Sequence, residues 1–198
     1  MTFGVVAVVA FLLLLPILVI TELPLLDYPN HLASAYVLAH LHDPGTNFAQ
    51  YFRADWGPYP YLSMDLLLVV LQRVVSIDVA GRIFCALAVL SVPVGLWFLL
   101  RRVDRQNGFL ALLACAVVYD EFMLQGFLQF VFALGLGLFT LGVWLWYLER
   151  PSAPRVAVVV VCVYATYFSH LIVFAMLALI FGAYCLLDRK STRLNSSH

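Results

Sequence analysis

Charge is what this chain has least of. Lys, Arg, Asp and Glu together make up 11% of its 198 residues, against roughly a quarter in soluble globular domains, while apolar residues make up 64%. Mean hydropathy is +0.98. So few polar groups do not clothe a soluble surface, and the composition predicts an integral membrane protein. Basic residues never run longer than Arg101-Arg102, and the 11 cationic side chains are matched by 11 carboxylates. No basic field is left to recruit nucleic acid, which is excluded as a partner. CxxC spacing is missing too: Cys85, Cys115, Cys162 and Cys185 are scattered through apolar segments. Thiols in such surroundings behave as small hydrophobes rather than as ligands or disulfide partners. The N-terminal apolar run lacks both a basic leader and a small-x-small cleavage site, so it reads as an uncleaved first helix, not a signal peptide.

Long apolar runs are what the chain has in abundance. They cover residues 3–20, 81–100, 109–119, 126–148 and 156–187. The pattern predicts an all-α fold, a polytopic transmembrane helical bundle of about five to seven membrane-embedded helices over residues 1–187. Juxtamembrane amphipathic helices are expected in a first outer loop covering about residues 22–60. Segment 61–75 is apolar but short and carries Asp65, Gln72 and Arg73, so it reads as an interfacial helix that does not cross. The basic loop at Arg101, Arg102 and Arg105 then lies in the cytoplasm with the N-terminus, as the positive-inside rule requires. A single helix over 156–187 would extend about 48 Å against a hydrocarbon core of roughly 30 Å. A break is therefore expected at Ser169-His170, the polar dipeptide within that run, giving either a tight helical hairpin or one long tilted helix that protrudes from the membrane. If the break makes a tight hairpin, Arg150, Arg155 and Arg189 share the cytoplasmic face. Asp27, His31, Asp120, Glu121 and His170 then share the opposite one. Residues 188–198, DRKSTRLNSSH, turn abruptly polar. They are expected to be a non-native or disordered tail of the kind adapter read-through leaves, which makes the chain the N-terminal part of a larger one.

The chemistry-bearing residues cluster behind the first apolar run, in LPLLDYPNHLASAYVLAHLH. Pro29 is expected to hold Tyr28 extended and Asn30 to cap a helix from His31 to about His42. Asp27 would then stand just before a helix N-terminus, whose dipole favours the ionised carboxylate that a general base needs. His31, one turn on, suits a hydrogen bond to that carboxylate or to a phosphate. The plainer alternative is a capped juxtamembrane helix. Asp120-Glu121 interrupts an apolar stretch and suits a second acid/base group or a divalent cation held against a lipid phosphate. Adjacent helical residues point about 100° apart, so one of the two would face a site; a solvated turn is the alternative. His170 suits substrate contact or a helix-packing role bonded to a carbonyl. Arg53, Asp55 and Trp56 combine an aromatic face with a charged pair, as carbohydrate sites do. His40, His42 and Asp43 have metal-ligand chemistry but irregular spacing, so no metal site is predicted. Ala133, Gly135, Gly137 and Gly142 offer a small-residue surface for close helix packing, and Trp56, Tyr59, Tyr61, Trp144, Trp146 and Tyr147 suit interfacial belts.

An N-terminal span, an acidic residue opening a long outer loop, and two short helices around DYPNH resemble the start of a GT-C-type polytopic glycosyltransferase. The layout is similar to bacterial membrane proteins related to the dolichyl-phosphate-mannose mannosyltransferase and lipid-A aminoarabinose transferase group. The resemblance implies a multi-pass protein of the bacterial inner membrane that transfers a sugar, with inversion, from a polyprenyl-phosphate donor to an acceptor glycan or lipid at the outer face. It implies Asp27 as the catalytic base and Asp120 or Glu121 as the second-loop acidic position. A fragment of this kind is expected to be inactive alone. The competing expectation is a transporter or flippase-like subunit, whose intramembrane acids and histidine relay protons or bind substrate and whose hydrophobic segments are broken.

Overall fold

Two long helices form the spine of the computed structural model, which describes residues 3–195 and the side chains of residues 4–187. Ile77–Val103 (α5) starts at Ser76, whose hydroxyl accepts the Val79 amide, and ends with Arg101 and Arg102 in its last turn. Cations there complement the helix dipole. Leu128–Glu149 (α8) runs parallel to it: the Ser91 hydroxyl donates to the Phe132 carbonyl, Phe98 stacks on Phe139, and Arg102 pairs with Glu149. The helices touch backbone to backbone, because a methyl group at Gly95 would overlap the Gly135 carbonyl and one at Gly135 would overlap Ser91. Gly135 and Gly142 of the expected small-residue surface thus line the α5–α8 seam, whereas Gly137 faces α10. All regular elements among the described residues are helical, with no strand. By length and composition α5 and α8 are the two described helices able to cross a membrane.

The remaining elements alternate in direction along this spine. Phe3–Val19 (α1) is antiparallel to α5, since the Arg82 guanidinium near the start of α5 donates to the carbonyls of Ile17, Ile20 and Thr21 at the far end of α1. Residues 105–119 return along α5, from Gly108 against Arg101 and Trp97 to Tyr119, whose hydroxyl donates to the Leu13 carbonyl. This segment begins as a 3₁₀ helix, Arg105–Ala111, and continues as Leu112–Val117 (α6). The higher rise of 3₁₀ geometry, about 2.0 Å per residue, lets a run of this length reach between the ends of its neighbours. Ala153–Ser169 (α9) is antiparallel to α8, with Arg155 donating to the Trp146 carbonyl and Thr166 meeting Thr140. Leu171–Asn195 (α10) turns back along α8: Val173 lies on Gly137, and Phe181 and Tyr184 pack on Trp144. The expected break at Ser169-His170 is therefore a hairpin, with extended backbone at His170.

Two short helices cap one end. Tyr28–Ala39 (α2) and Leu62–Leu71 (α4) lie side by side, with the Gln72 amide donating to the Ala35 carbonyl. Helix α4 begins beside His170 and leads directly into α5, so both of its ends lie at the same end of the bundle. Phe48–Tyr51 (α3) is a single turn in the loop between them. The core, including Tyr28, Met64, Leu68, Phe84, Cys85 and Met123, lies beneath this cap. The two ends differ in net charge. Arg101, Arg102, Arg105, Arg150 and Arg155 sit at one, with Asp104 and Glu149; at the other, the His170 end, Asp27, Asp65, Asp78, Asp120 and Glu121 outnumber Arg73 and Arg82. The expected tail, residues 188–198, lies outside the described side chains.

Candidate functional site

Pro29 occupies the first turn of α2, where a missing N–H costs nothing because that amide has no intrahelical partner. The helix therefore begins at Tyr28, with Asp27 as its N-terminal flanking residue, and ends at Ala39. This corrects the expectation of an extended Tyr28 and a helix capped by Asn30 that runs to His42. Tyr28 is buried instead, its ring lying over Gly81, where a methyl group would overlap its hydroxyl. Burial, with the neighbouring Cys85 thiol, pushes the phenol upward, so it is neutral. The phenol anchors α2 and leaves the preceding residue at the surface.

Asp27 spends its carboxylate on its own helix. Oδ1 accepts from the Asn30 amide at 2.9 Å, and Oδ2 lies 3.4 Å from His31 Nε2. Its backbone is held from the other side: the amides of Leu26 and Asp27 donate to the carbonyls of Leu124 and Gln125 at 3.0 and 3.1 Å. That second loop turns at Gly126, whose φ of +86° suits glycine, and whose missing side chain lets the Asp27 backbone approach. The 22–27 and 120–127 loops are thereby docked, bringing the DYPNH motif and the Asp120-Glu121 pair to one surface.

Asp120 flanks Glu121–Leu124 (α7), a single turn, and accepts the Met123 amide at 3.0 Å. Glu121 is exposed. His170 sits between the rings of Tyr61 and Phe130, 4.7 and 5.1 Å away, and its Nδ1 accepts the Ile172 amide at 3.3 Å. Burial lowers its pKa, so it is a neutral ring that caps α10. Its partner is an amide donor, not the carbonyl expected. Tyr61 itself has φ +72°, a left-handed conformation uncommon for a bulky residue, which turns its ring onto His170.

One carboxylate at this end was not singled out from the sequence. Asp65, on α4, lies close enough to His31 to feel its charge; burial raises the Asp65 pKa and His31 opposes the rise. His31 is thus paired with the half-exposed Asp27 and lies within electrostatic reach of Asp65, whose carboxyl is more deeply shielded. Arg53, Asp55 and Trp56 are exposed on the irregular strand of chain before α4 and are not joined to this cluster by any hydrogen bond or ion pair among the described residues. His40 Nδ1 lies 2.6 Å from Asp43 Oδ2, and no group of three metal-ligating side chains is gathered among the described residues. Comparison of the chain with protein-family models, curated proteins and solved structures finds no match, so the site rests on its own geometry.

Proposed function

We propose that the chain is embedded in a membrane and that the His170 end of its bundle is an acid–base site for sugar transfer from a polyprenyl-phosphate donor to a glycan or lipid acceptor. Membrane embedding is supported by apolar side chains that face outward along the bundle, among them Leu18, Val19, Val161 and Leu179, each more than 60% exposed. Six runs pass between the two ends: α1, α5, residues 105–119, α8, α9 and α10. Their alternation supports a multi-pass arrangement within the expected five to seven. The excess of arginine over carboxylate at the end where α1 starts, five arginines against Asp104 and Glu149, supports a cytoplasmic N-terminus and an outward-facing site, as in a bacterial inner membrane.

The observation that carries the reading is the pairing of Asp27 with His31 at a helix N-terminus on a docked, two-loop surface. Asp27 takes the proton of an acceptor hydroxyl as that oxygen bonds to the sugar anomeric carbon. The bond from that carbon to the lipid phosphate breaks on the opposite face, and the phosphate leaves as an anion. His31, beside Asp27, is assigned to offset the charge that develops on the departing phosphate; Glu121 alone does not make a cation site. Arg53, Asp55 and Trp56 are assigned to the sugar and His170 to the wall of the site. The transport alternative drew on a broken helix, and the chain reversal at His170 lies at the end of the bundle, away from the mid-depth position that transporter breaks occupy. In membranes from cells expressing the protein, Asp27→Asn is expected to lower transfer roughly 10²- to 10⁴-fold while insertion is retained. Transfer within a few-fold of the wild type removes the assignment.

A further inference from the structure

A groove of about 650 Å³ opens at the opposite, arginine-bearing end, between α1, α5 and residues 105–115. Its walls are apolar, Ala10 and Pro93 among them, and Trp97 marks its rim with Arg101, Arg105 and Gln106. A smaller pocket of about 220 Å³ adjoins it, sharing Trp97, Arg101 and Arg105 and adding Phe98 and Arg102. Arg101 and Arg102 each lie over an aromatic ring, 5.1 Å from Trp97 and Phe98, and both guanidinium-bearing side chains line the smaller pocket. Arg102 has a carboxylate partner in Glu149, and Asp104, the other acid nearby, accepts the Gln106 amide and is not part of either lining. The rim therefore carries uncompensated positive charge beside an apolar slot. A phosphate with two hydrocarbon tails is complementary to both halves at once.

We infer that this paired pocket and groove bind an anionic phospholipid, the phosphate seated among Arg101, Arg102 and Arg105 and an acyl chain lying along α1 and α5. Guanidinium groups form forked hydrogen bonds to phosphate oxygens, and the groove volume is within the roughly 300–1,000 Å³ of ligand sites. The inference rests on membrane embedding but not on the proposed transfer chemistry. It places a lipid contact at the end of the bundle far from Asp27.

The test uses the protein in phosphatidylcholine nanodiscs that contain increasing fractions of phosphatidylglycerol with brominated acyl chains. Tryptophan emission is recorded, and the Trp97 component is the difference between the wild type and Trp97→Phe. Saturable quenching of Trp97 is expected at lower fractions of brominated phosphatidylglycerol than of brominated phosphatidylcholine. Arg101→Gln and Arg105→Gln are each expected to weaken that preference about fivefold, whereas Arg150→Gln, outside the groove, leaves it unchanged. Equal quenching by the two lipids, a preference that survives the double substitution, or no quenching of Trp97 by either lipid overturns the inference. If Trp144 and Trp146 are unquenched as well, the membrane reading itself fails.

Discussion

Gly126→Ala tests whether the docking of two loops holds Asp27 in place. The new methyl carbon would lie 2.7 Å from the Asp27 amide nitrogen and 3.0 Å from that of Tyr28, so the loops must separate. Forcing an L-residue into the left-handed conformation costs about 1–2 kcal/mol. Loss of the two amide–carbonyl bonds at Leu26 and Asp27 adds about 1 kcal/mol each. The sum is about 3–4 kcal/mol, or a fall in melting temperature of roughly 6–16 °C for a chain of this size. Gly45→Ala separates the two causes, because Gly45 has φ +95° with nothing within 4 Å of the added carbon. Its expected cost is the conformational part alone, about 1–2 kcal/mol. Thermal unfolding of both variants in the same nanodiscs, followed by circular dichroism, gives the comparison. If Gly126→Ala costs no more than Gly45→Ala, the loops are not mutually held and the geometry proposed for Asp27 loses its support.

Three further outcomes are expected. Burial raises the Asp65 pKa above its unfolded value, so the folded state holds the proton more tightly; the stability Asp65 gives is complete below the unfolded pKa and is lost as pH rises through the folded one. Asp65→Asn should flatten this fall in stability with pH, and an unchanged pH–stability curve would contradict the burial of that carboxyl. Gly135→Ala, which overlaps Ser91, should destabilise by about 1–3 kcal/mol or more in thermal unfolding; Gly182→Ala, with open space around it, should be nearly silent, and equal effects would refute the close α5–α8 seam. Reporter fusions at residues 45, 104 and 121 should place 45 and 121 on one side of the membrane and 104 on the other.

Features set by local chemistry were the most legible in the sequence. An apolar run too long for one crossing, interrupted by Ser169-His170, pointed to a break because length and polarity decide it; that the break is a hairpin and not one long tilted helix depends on how α10 packs back along α8. Gly135 and Gly142 pointed to a close helix seam because residues without bulk let backbones approach, while the same reading did not reveal that Gly137 faces α10. The start of α2 was misjudged because two effects of Pro29 compete: it disfavours a helical Tyr28, yet it fits the first turn well. The burial of Tyr28 over Gly81, invisible in a linear reading, settles that competition. Segment 109–119 was counted among the spans on its apolarity, but its 3₁₀ start depends on packing against α5 and leaves no mark in that pattern. Asp65 was passed over as a polar interruption in an interfacial helix; its closeness to His31 arises only when α4 folds against α2. The pairing of Trp97 and Arg101 with Arg105 across the turn after α5 was likewise hidden, since neither residue type is unusual at a helix end.

Arg82 has a mechanical consequence. By gripping three carbonyls at the end of α1, one guanidinium gears that helix to the first turns of α5. A bilayer that thins or thickens would then tilt the pair as a unit instead of letting α1 slide, since tilting is the inexpensive response to mismatch. Asp27, a few residues beyond the grip, would ride with the spine and keep its height above the core in membranes of different thickness.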